Sequence, residues 1–320
     1  MFTGMLEKLG GQLGRRFLLA VWLPNVLFWG GLAALAVTGR GWTDAARWWH
    51  ERGVEARTAL VLATVAASLV VGSVWSAQLP PLTRLLAGYW PGLPGLAALR
   101  DRRTGRHRRR HRTVMTDPKV FVREASYYPL AEDDVMPTRF GNVLRSAEAH
   151  PYDRYGIDAV LVWPRLYPVL PSRFAAQLAA AASDVDLMVT VFGLGLAFAG
   201  AGGALAAALL SWWAAVACCA GGLLVALIAY RGAVHTAFVY AALVKSAFDV
   251  HRGLLIDALG LERPVSWSTE LAQWRQLGKV WLQGAPEAGA GARALRYPDR
   301  PCPPCPLCHP PAQPGGTAGP

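Results

Sequence analysis

Charged side chains are scarce in this chain: Asp, Glu, Lys and Arg make up 17% of it, whereas about 25% is usual in soluble proteins. Residues 17–37 have no charge and only Pro24 and Asn25 interrupt their apolar run, 58–77 have none, and 187–230 are 44 residues without one. A membrane span needs about 20 apolar residues, and helices of a soluble core rarely run that far uncharged. The scarcity of charge argues against a soluble globular protein and predicts an integral membrane protein.

The longest uncharged run exceeds what a single crossing needs. Residues 187–230 would make about 66 Å of helix at about 1.5 Å per residue, whereas the hydrocarbon core is about 30 Å thick. Tryptophan favours the membrane interface, so Ser211, Trp212 and Trp213 mark the predicted turn of a helical hairpin. The expected fold is all-α: a four-span helical membrane protein with spans at about 17–38, 57–77, 187–210 and 213–230.

The N-terminal run also has features of a secretory signal peptide. Lys8, Arg15 and Arg16 precede it, and the small residues at 34–36 resemble a cleavage site. A signal peptide has an apolar region of about 7–15 residues, and the run here is about 20 residues long. We therefore expect an uncleaved anchor.

Positive charge is unevenly distributed, and its asymmetry predicts the orientation. Basic residues stay on the cytoplasmic side, and residues 100–112, after the second span, carry eight arginines and one aspartate. The sequence predicts a multi-pass protein of the cytoplasmic (cell) membrane with both termini cytoplasmic. The predicted segments are a cytoplasmic N-terminus at 1–16, transmembrane hairpin 1 at 17–78, an interfacial Pro/Gly segment with the arginine cluster at 79–112, a cytoplasmic cap at 113–186, transmembrane hairpin 2 at 187–230, cytoplasmic helices at 231–283 and a disordered Pro/Gly/Cys tail at 284–320.

The arginine cluster is the first candidate contact site. Arginine binds phosphate well, but no aromatic residue interleaves the cluster and nothing beside it reads bases, so no nucleic-acid partner is expected. Its place beside a span favours anionic lipid head groups, which attract basic residues by about 1 kcal/mol each; an acidic partner protein and a homo-oligomer stay open. The predicted contact residues are Arg100, Arg102, Arg103, Arg106, Arg108, Arg109, Arg110 and Arg112.

The segments between the second and third spans have weaker patterns. Residues 79–99 hold four prolines and three glycines, which predicts an interfacial or re-entrant segment and hints at a pore or cavity. A short strand is expected at 120–123. Pro137 suits a first helical position, and this helix is expected to end at 150–151. Ser172 is the expected N-cap of the helix that enters the third span.

The stretch from about 135 onward resembles a family of uncharacterised bacterial integral membrane proteins. The matching residues are Arg139, Gly141, Asn142, Arg145, Glu148, Tyr155, Gly156, Asp158 and the run Trp163-Pro164-Arg165-Leu166, followed by residues 247–261. The resemblance covers about half the chain, roughly 135–280. It implies the four-span layout and brings no known activity, cofactor or catalytic residue.

Charged and aromatic residues of this stretch form the second candidate site. Carboxylates beside His150 are able to do acid–base chemistry, but no spacing here matches a hydrolase or metal motif. We expect arginine–carboxylate pairs that hold a rigid elbow on the membrane face before the third span. The predicted elbow residues are Arg139, Arg145, Glu148, Tyr155, Asp158, Trp163 and Arg165. No catalytic residue is predicted.

Small residues recur in the third span. Gly195, Ala199 and Gly203 are four apart, a spacing that lets two helices pack closely. No span carries a buried charge, which argues against an ion-coupled carrier but not against a channel gated by an apolar constriction. After 230 the helix is expected to continue to about Gly260. A later helix with Trp274 on its apolar stripe is expected to pack on the cap, with binding at the membrane interface as the alternative.

The C-terminal tail holds the run Cys-Pro-Pro-Cys-Pro-Leu-Cys-His. Its end matches the haem-attachment pattern C-x-x-C-H, but such haem is attached outside the membrane, whereas this tail is predicted inside. Zinc is kept as the alternative to a reduced, unstructured tail, although adjacent donors do not easily bind one ion. No cofactor is predicted; the zinc candidates are Cys302, Cys305, Cys308 and His309.

Three functions are compatible with these features. The first is a non-enzymatic membrane scaffold, signalling or assembly component, because the spans are uncharged and carry small-residue packing faces. The second is an oligomeric channel or small-solute passage, because 79–99 is broken and the third span is rich in glycine. The third, a membrane-bound enzyme, has no recognisable motif.

Overall fold

The computed structural model describes residues 18–285 and 295–298. Within these ranges the chain forms eleven α-helices and no β-strand. The helices are α1 (Leu23–Arg40), α2 (Trp42–His50), α3 (Val54–Ala77), α4 (Leu79–Ala87), α5 (Pro94–Thr116), α6 (Pro118–Glu124), α7 (Arg139–Tyr155), α8 (Ala159–Leu166), α9 (Ser172–Leu209), α10 (Trp212–Ala258) and α11 (Trp267–Gln283). A π-helical turn, Leu18–Trp22, leads into α1. The predicted N-terminal segment 1–16 lies outside the described residues.

Four helices are long and apolar enough to cross a membrane: Leu19–Arg40, α3, α9 and α10. This confirms the predicted number of membrane-length helices. With 38 and 47 residues, α9 and α10 are about 57 Å and 70 Å long, well beyond the roughly 30 Å of a hydrocarbon core. We call their uncharged ends, 187–230, the apolar hairpin. Their charged halves, 172–186 and 231–258, together with α7, α8 and α11, are the helical cap.

The apolar hairpin turns where the sequence predicts. Ser211 caps α10, since its side-chain oxygen accepts the N–H of Ala214 at 3.2 Å. The two helices touch backbone to backbone through small residues: a Cβ placed on Gly222 would lie 2.6 Å from the Ala199 nitrogen and 2.7 Å from the Gly195 carbonyl oxygen. The predicted close packing of the third span is confirmed, and its partner is the next helix in the chain.

The first two membrane-length helices pack unequally. Helix α1 lies along α9, where a Cβ on Gly31 would lie 3.2 Å from the Phe198 ring. Helix α3 makes fewer contacts, among them a hydrogen bond from Trp22 Nε1 to Ser68 Oγ at 3.0 Å and the packing of Trp75 near Gly193. Most other side chains of α3 are exposed.

The broken segment 79–99 contains α4, a non-helical link and the start of α5. Gly88 ends α4 with a φ of 102°, where L side chains are strained, and Pro137 occupies the space that a Cβ there would need. Helix α4 packs on α9 and α7, whereas the link at 89–93 is mostly exposed. The arginine cluster lies entirely within α5.

The strand predicted at 120–123 is wrong, because these residues belong to helix α6. Asp117 caps this helix by accepting the N–H of Lys119 at 2.9 Å. Pro118 occupies the first helical turn, where its fixed φ is favourable. The cap and the proline outweigh the β-branched Val120 and Val122, whose strand preference depends on a neighbouring strand.

The predicted ends of α7 also need correction. The helix begins after Pro137, because the Thr138 side-chain oxygen accepts the N–H of Gly141 at 2.9 Å and makes Thr138 the cap. It continues through Pro151, which removes one hydrogen bond without ending the helix. Gly156, with a φ of 68°, ends it.

The N-cap predicted for α9 is one residue off. Ser172 is the first residue of α9, and its side chain makes no capping hydrogen bond. Pro171 precedes the helix and fixes the extended entry of the chain. At the end of α10 the prediction is confirmed: the helix ends at Ala258, and Gly260 follows with a φ of 69°.

Candidate functional site

The helical cap has a well-packed apolar core. Phe140 on α7, Phe248 on α10 and Trp274 on α11 are at most 2% exposed, which confirms the predicted packing of α11 on the cap. Polar side chains bridge these three helices beside the core. We call His150, Tyr155, Asp249, Arg252 and Glu270 the cap network.

Asp249 is the acceptor at one end of the cap network. Its Oδ1 lies 2.8 Å from His150 Nε2 and accepts the Tyr155 hydroxyl at 2.8 Å. Burial alone raises the pKa of Asp249, but the two hydrogen bonds outweigh burial and lower it. Because an ionised carboxylate only accepts, a neutral His150 carries its proton on Nε2.

Arg252 and Glu270 form the other end of the cap network. Arg252 Nε donates to Glu270 Oε1 at 2.6 Å and its Nη2 to Oε2 at 3.2 Å, and the guanidinium carbon lies 4.0 Å from the centre of the Tyr155 ring. Trp274 Nε1 donates to the same Glu270 carboxylate at 3.4 Å. Burial lowers the pKa of Arg252, but pairing with Glu270 raises it overall. The network therefore ties α7, α10 and α11 together through paired charges.

His150 lies between this network and a small cavity of about 350 Å³, which Asp153 and Lys245 also line. Burial lowers the pKa of His150, and Arg154 and Lys245 add to this effect, so that the opposing effect of Asp249 does not restore the usual value. Burial likewise lowers the pKa of Lys245, whose amine donates to the Ser126 carbonyl at 3.4 Å. The hydrogen bond to Asp249 fixes the orientation of the imidazole and leaves Nδ1 as its acceptor.

The predicted elbow residues all lie in or beside the cap, and the structure distributes them over separate contacts. Arg145 Nη2 lies 2.5 Å from Asp134, and its Nη1 lies 3.0 Å from Glu148. Asp158 caps α8 by accepting the N–H of Leu161 at 3.1 Å. Each of these contacts fixes a helix end or a neighbouring loop.

The remaining elbow residues contact aromatic rings. Arg139 lies 4.5 Å from the centre of the Tyr127 ring, and Arg165 lies 4.5 Å from that of Trp281. Trp163 packs against Phe248, with ring centres 5.7 Å apart. The expected carboxylate partner of Arg165 is not found within the described chain.

The charged residues of α10 and α11 were missed by sequence reasoning. Asp249 and Arg252 are three apart, so they share a helical face, and both lie in the second stretch that carries the family resemblance. Their partners are distant: His150 is 99 residues from Asp249, and Glu270 is 18 from Arg252. The shared helical face was the available signal, but only the packing of α7 and α11 on α10 identifies the partners.

Three other residues of the resemblance have local structural roles. Asn142 is fully buried, and its amide group donates to the Met136 carbonyl at 2.9 Å and accepts the Met136 N–H at 2.8 Å. Gly141 lies against the carbonyl of Ala87, and Gly156 needs its positive φ. These contacts position α7 against α4 and α11.

The arginines of the cluster fall into two groups by their partners. In the first group, Arg112 Nη2 lies 2.6 Å from Glu132 and Arg108 lies 3.6 Å from Asp133, while Arg110 pairs with Glu124. The hydrogen bonds that Arg110 donates to Glu124 lower the pKa of this carboxyl group. Arg100 lies beside Asp101, and Arg103 lies near the Trp90 ring.

The second group consists of Arg102, Arg106 and Arg109, which we call the arginine stripe. Their spacing of four and three places them on one side of the helix. All three are exposed, and none has a carboxylate within 4 Å among the described residues. The predicted cluster thus separates into arginines that fix the cap and arginines that face solvent.

The described residues contain no group of three or more His, Cys, Asp or Glu able to hold a metal ion. The candidates Cys302, Cys305, Cys308 and His309 lie outside them. The chain matches no protein-family model, no curated protein and no solved structure. Its function is therefore argued from this geometry.

Proposed function

We propose that the protein is an integral protein of a bacterial cytoplasmic membrane, a member of the uncharacterised family that its sequence resembles, and a non-enzymatic scaffold or assembly component. One observation carries the proposal: the charged side chains of the cap network are satisfied within the network, which joins three helices. Arg252 is held by Glu270, and Asp249 by His150 and Tyr155. Fully satisfied polar networks of this kind rigidify the helices that they join.

The orientation follows from where the cap lies. Because α9 and α10 exceed the bilayer thickness, their charged halves must protrude on one side, together with α7 and α11. The arginine cluster is ion-paired to the loop before α7, so it lies on that side as well. Basic residues favour the cytoplasm, which makes this side, and both termini, cytoplasmic.

The protein exposes only a small surface on the opposite side of the membrane. Helix α2 is amphipathic, with Trp42 and Trp48 exposed, and the Arg52 guanidinium carbon lies 3.4 Å from the centre of the Trp48 ring. Tryptophan and arginine of this kind suit the head-group layer. Helix α2 therefore lies flat on the outer leaflet and limits how far hairpin 1 moves through the membrane.

The arginine stripe gives the scaffold a second attachment to the inner leaflet. Anionic head groups attract basic residues by about 1 kcal/mol each, so three unpaired arginines contribute about 3 kcal/mol at moderate ionic strength.

Replacing Arg102, Arg106 and Arg109 by Gln should reduce the anionic lipid that copurifies with the protein. The matched control replaces Arg40, Arg47 and Arg52 on the opposite side. Equal lipid loss in both triple variants would contradict the assignment.

The alternative is an oligomeric channel or small-solute passage, and the exposure of α3 favours it. Of the membrane-length helices, α3 buries the smallest share of its apolar stretch, 6%, whereas α9 buries 39%. A second copy packed on α3 would make an oligomer. Such an assembly would enclose a lumen only if polar side chains faced it.

Reconstitution into liposomes separates the two functions. The protein is incorporated at high density, its orientation is read from protease access to the cap, and ion and small-solute flux is measured together with the oligomeric state. A scaffold gives no flux above empty liposomes, with the cap on the side of the termini. Flux that scales with the number of oligomers would instead establish the channel.

A further inference from the structure

A cavity of about 810 Å³ lies between the two pairs of membrane-length helices. The end of α3, helix α4, the charged half of α9 and Tyr240 of α10 enclose it. Its walls are mainly apolar, with Val21, Leu79 and Leu178 among them. Two charged groups of opposite sign, Asp186 and Arg84, also line it. Because Arg84 is exposed, the cavity reaches the surface.

The cavity lies at the depth of lipid head groups. Asp186 precedes the turn residue Ser211 by 25 positions, which is about 37 Å of helix. The hydrocarbon core is about 30 Å thick, and about 40–45 Å includes both head-group layers. Arg84 follows the end of α3 at Ala77 by two helical turns. Both charges therefore lie where phosphate and amine groups of the inner leaflet are found.

Neither charge is satisfied by the protein. The Asp186 carboxylate has no hydrogen bond or ion pair with any described residue, and Arg84 has no carboxylate within 4 Å. The cap network differs from this cavity, since Arg252 is paired with Glu270 there. Two unpaired charges of opposite sign in one cavity suit a ligand that carries the complementary pair.

We propose that this cavity binds the head group of an amine-bearing phospholipid, with the ammonium group donating to Asp186 and the phosphate accepting from Arg84. The acyl chains follow the apolar walls into the bilayer, and Trp163 and Tyr167 contact the head group from α8 and the turn after it. The inference rests on the membrane location proposed above. It assigns a lipid class to a site that the scaffold function does not require.

The chemistry predicts discrimination between two abundant head groups. An ethanolamine ammonium offers three N–H donors, as a lysine does, whereas a choline head group offers none. Hydrogen bonds between charged groups are strong and gain further strength away from water. The phosphate is common to both lipids, so Arg84 contributes affinity and Asp186 contributes selectivity.

The test uses the full chain in liposomes that contain equal amounts of phosphatidylethanolamine and phosphatidylcholine, with the retained lipids measured by native mass spectrometry. The wild-type protein should retain ethanolamine over choline lipid by about tenfold, the effect of one charged hydrogen bond. Asp186→Asn should abolish the preference. The matched control Asp184→Asn, at an exposed position outside the cavity, should keep it. Arg84→Gln should reduce retention of both lipids equally.

Three outcomes overturn the inference: no preference in the wild type, the same loss in Asp184→Asn, or full competition by soluble glycerophosphoethanolamine, which would indicate a site for a free solute. If Asp186→Asn does not fold, ethanolamine lipids with one, two or three N-methyl groups test the wild-type protein directly. Retention should fall stepwise as donors are removed. A chain that fails to insert contradicts the proposed function, whereas an inserted chain without amine preference contradicts only this inference.

Discussion

The apolar hairpin and the helical cap share the helices α9 and α10, yet different interactions stabilise them. In the hairpin, Gly195 and Gly222 let backbones touch, and Cys219 Sγ donates to the Ala199 carbonyl at 3.1 Å. In the cap, Arg252 and Glu270 form a charged pair between α10 and α11. Lipid tails are as apolar as the side chains of the hairpin, so burial of these side chains in protein gives no hydrophobic gain. The hairpin therefore depends on close packing, whereas the cap has a hydrophobic core supplemented by charged pairs.

The largest expected effect is in the hairpin. Gly222→Leu places a side chain where the backbone atoms of Ala199 and Gly195 lie 2.6–2.7 Å away. Backbone does not yield as a flexible side chain does, so we expect a loss of at least about 3 kcal/mol. Thermal unfolding in nanodiscs measures it.

Gly221→Leu is the control for this prediction. A Cβ at Gly221 meets nothing within 4 Å, and the residue is exposed. We expect a change below about 1 kcal/mol. Equal destabilisation by the two leucines would mean that the helices do not approach through this face.

The sequence predicts the hairpin better than it predicts the cap network. The hairpin could be predicted because its signals are local: an uncharged run, Ser211 at the turn and small residues every four positions in the third span. The cap network could not, because His150 and Asp249 are 99 residues apart and nothing local pairs them. The strand expected at 120–123 failed for a related reason, since a strand needs a partner and none lies beside it in the described fold.

The cap depends on its charged pairs, and Arg252→Met is the second test. The Glu270 side chain, which is only 15% exposed, would then lack its cationic partner. Breaking a buried pair costs about 3–5 kcal/mol, and the partial exposure of both side chains reduces our expectation to about 2–3 kcal/mol. Arg263→Met is the matched control, because its pair with Asp257 is exposed; it should change the apparent Tm little. A larger loss from Arg263→Met would refute the ranking.

A smaller effect is expected at the joint between α8 and α11. Arg165 lies over the Trp281 ring, and a cation–π contact at a partly exposed site contributes about 0.5–1 kcal/mol. Arg165→Met should cost about that amount, and the Trp281→Leu variant should make Arg165→Met nearly neutral. Additive losses in the double variant would show that the two side chains do not interact.

The smallest effect at neutral pH, and the one most specific to the cap, concerns His150. Its pKa in the folded protein is below the ordinary 6.5, so the unfolded chain binds more protons as the pH falls through 6.5. The stability contribution of neutral His150 is therefore complete above that pH and decreases toward the lowered pKa.

His150→Gln keeps an N–H for Asp249 but does not titrate, so it should match the wild type at about pH 7.5 and lose less stability at about pH 5. Unfolding measured across this range should give a shallower slope for the variant, while Gly221→Leu in the hairpin should keep the wild-type slope. Parallel wild-type and His150→Gln profiles would mean that the pKa of His150 is the same in the folded and unfolded chains, and a steeper loss in the variant would mean that Asp249 raises this pKa.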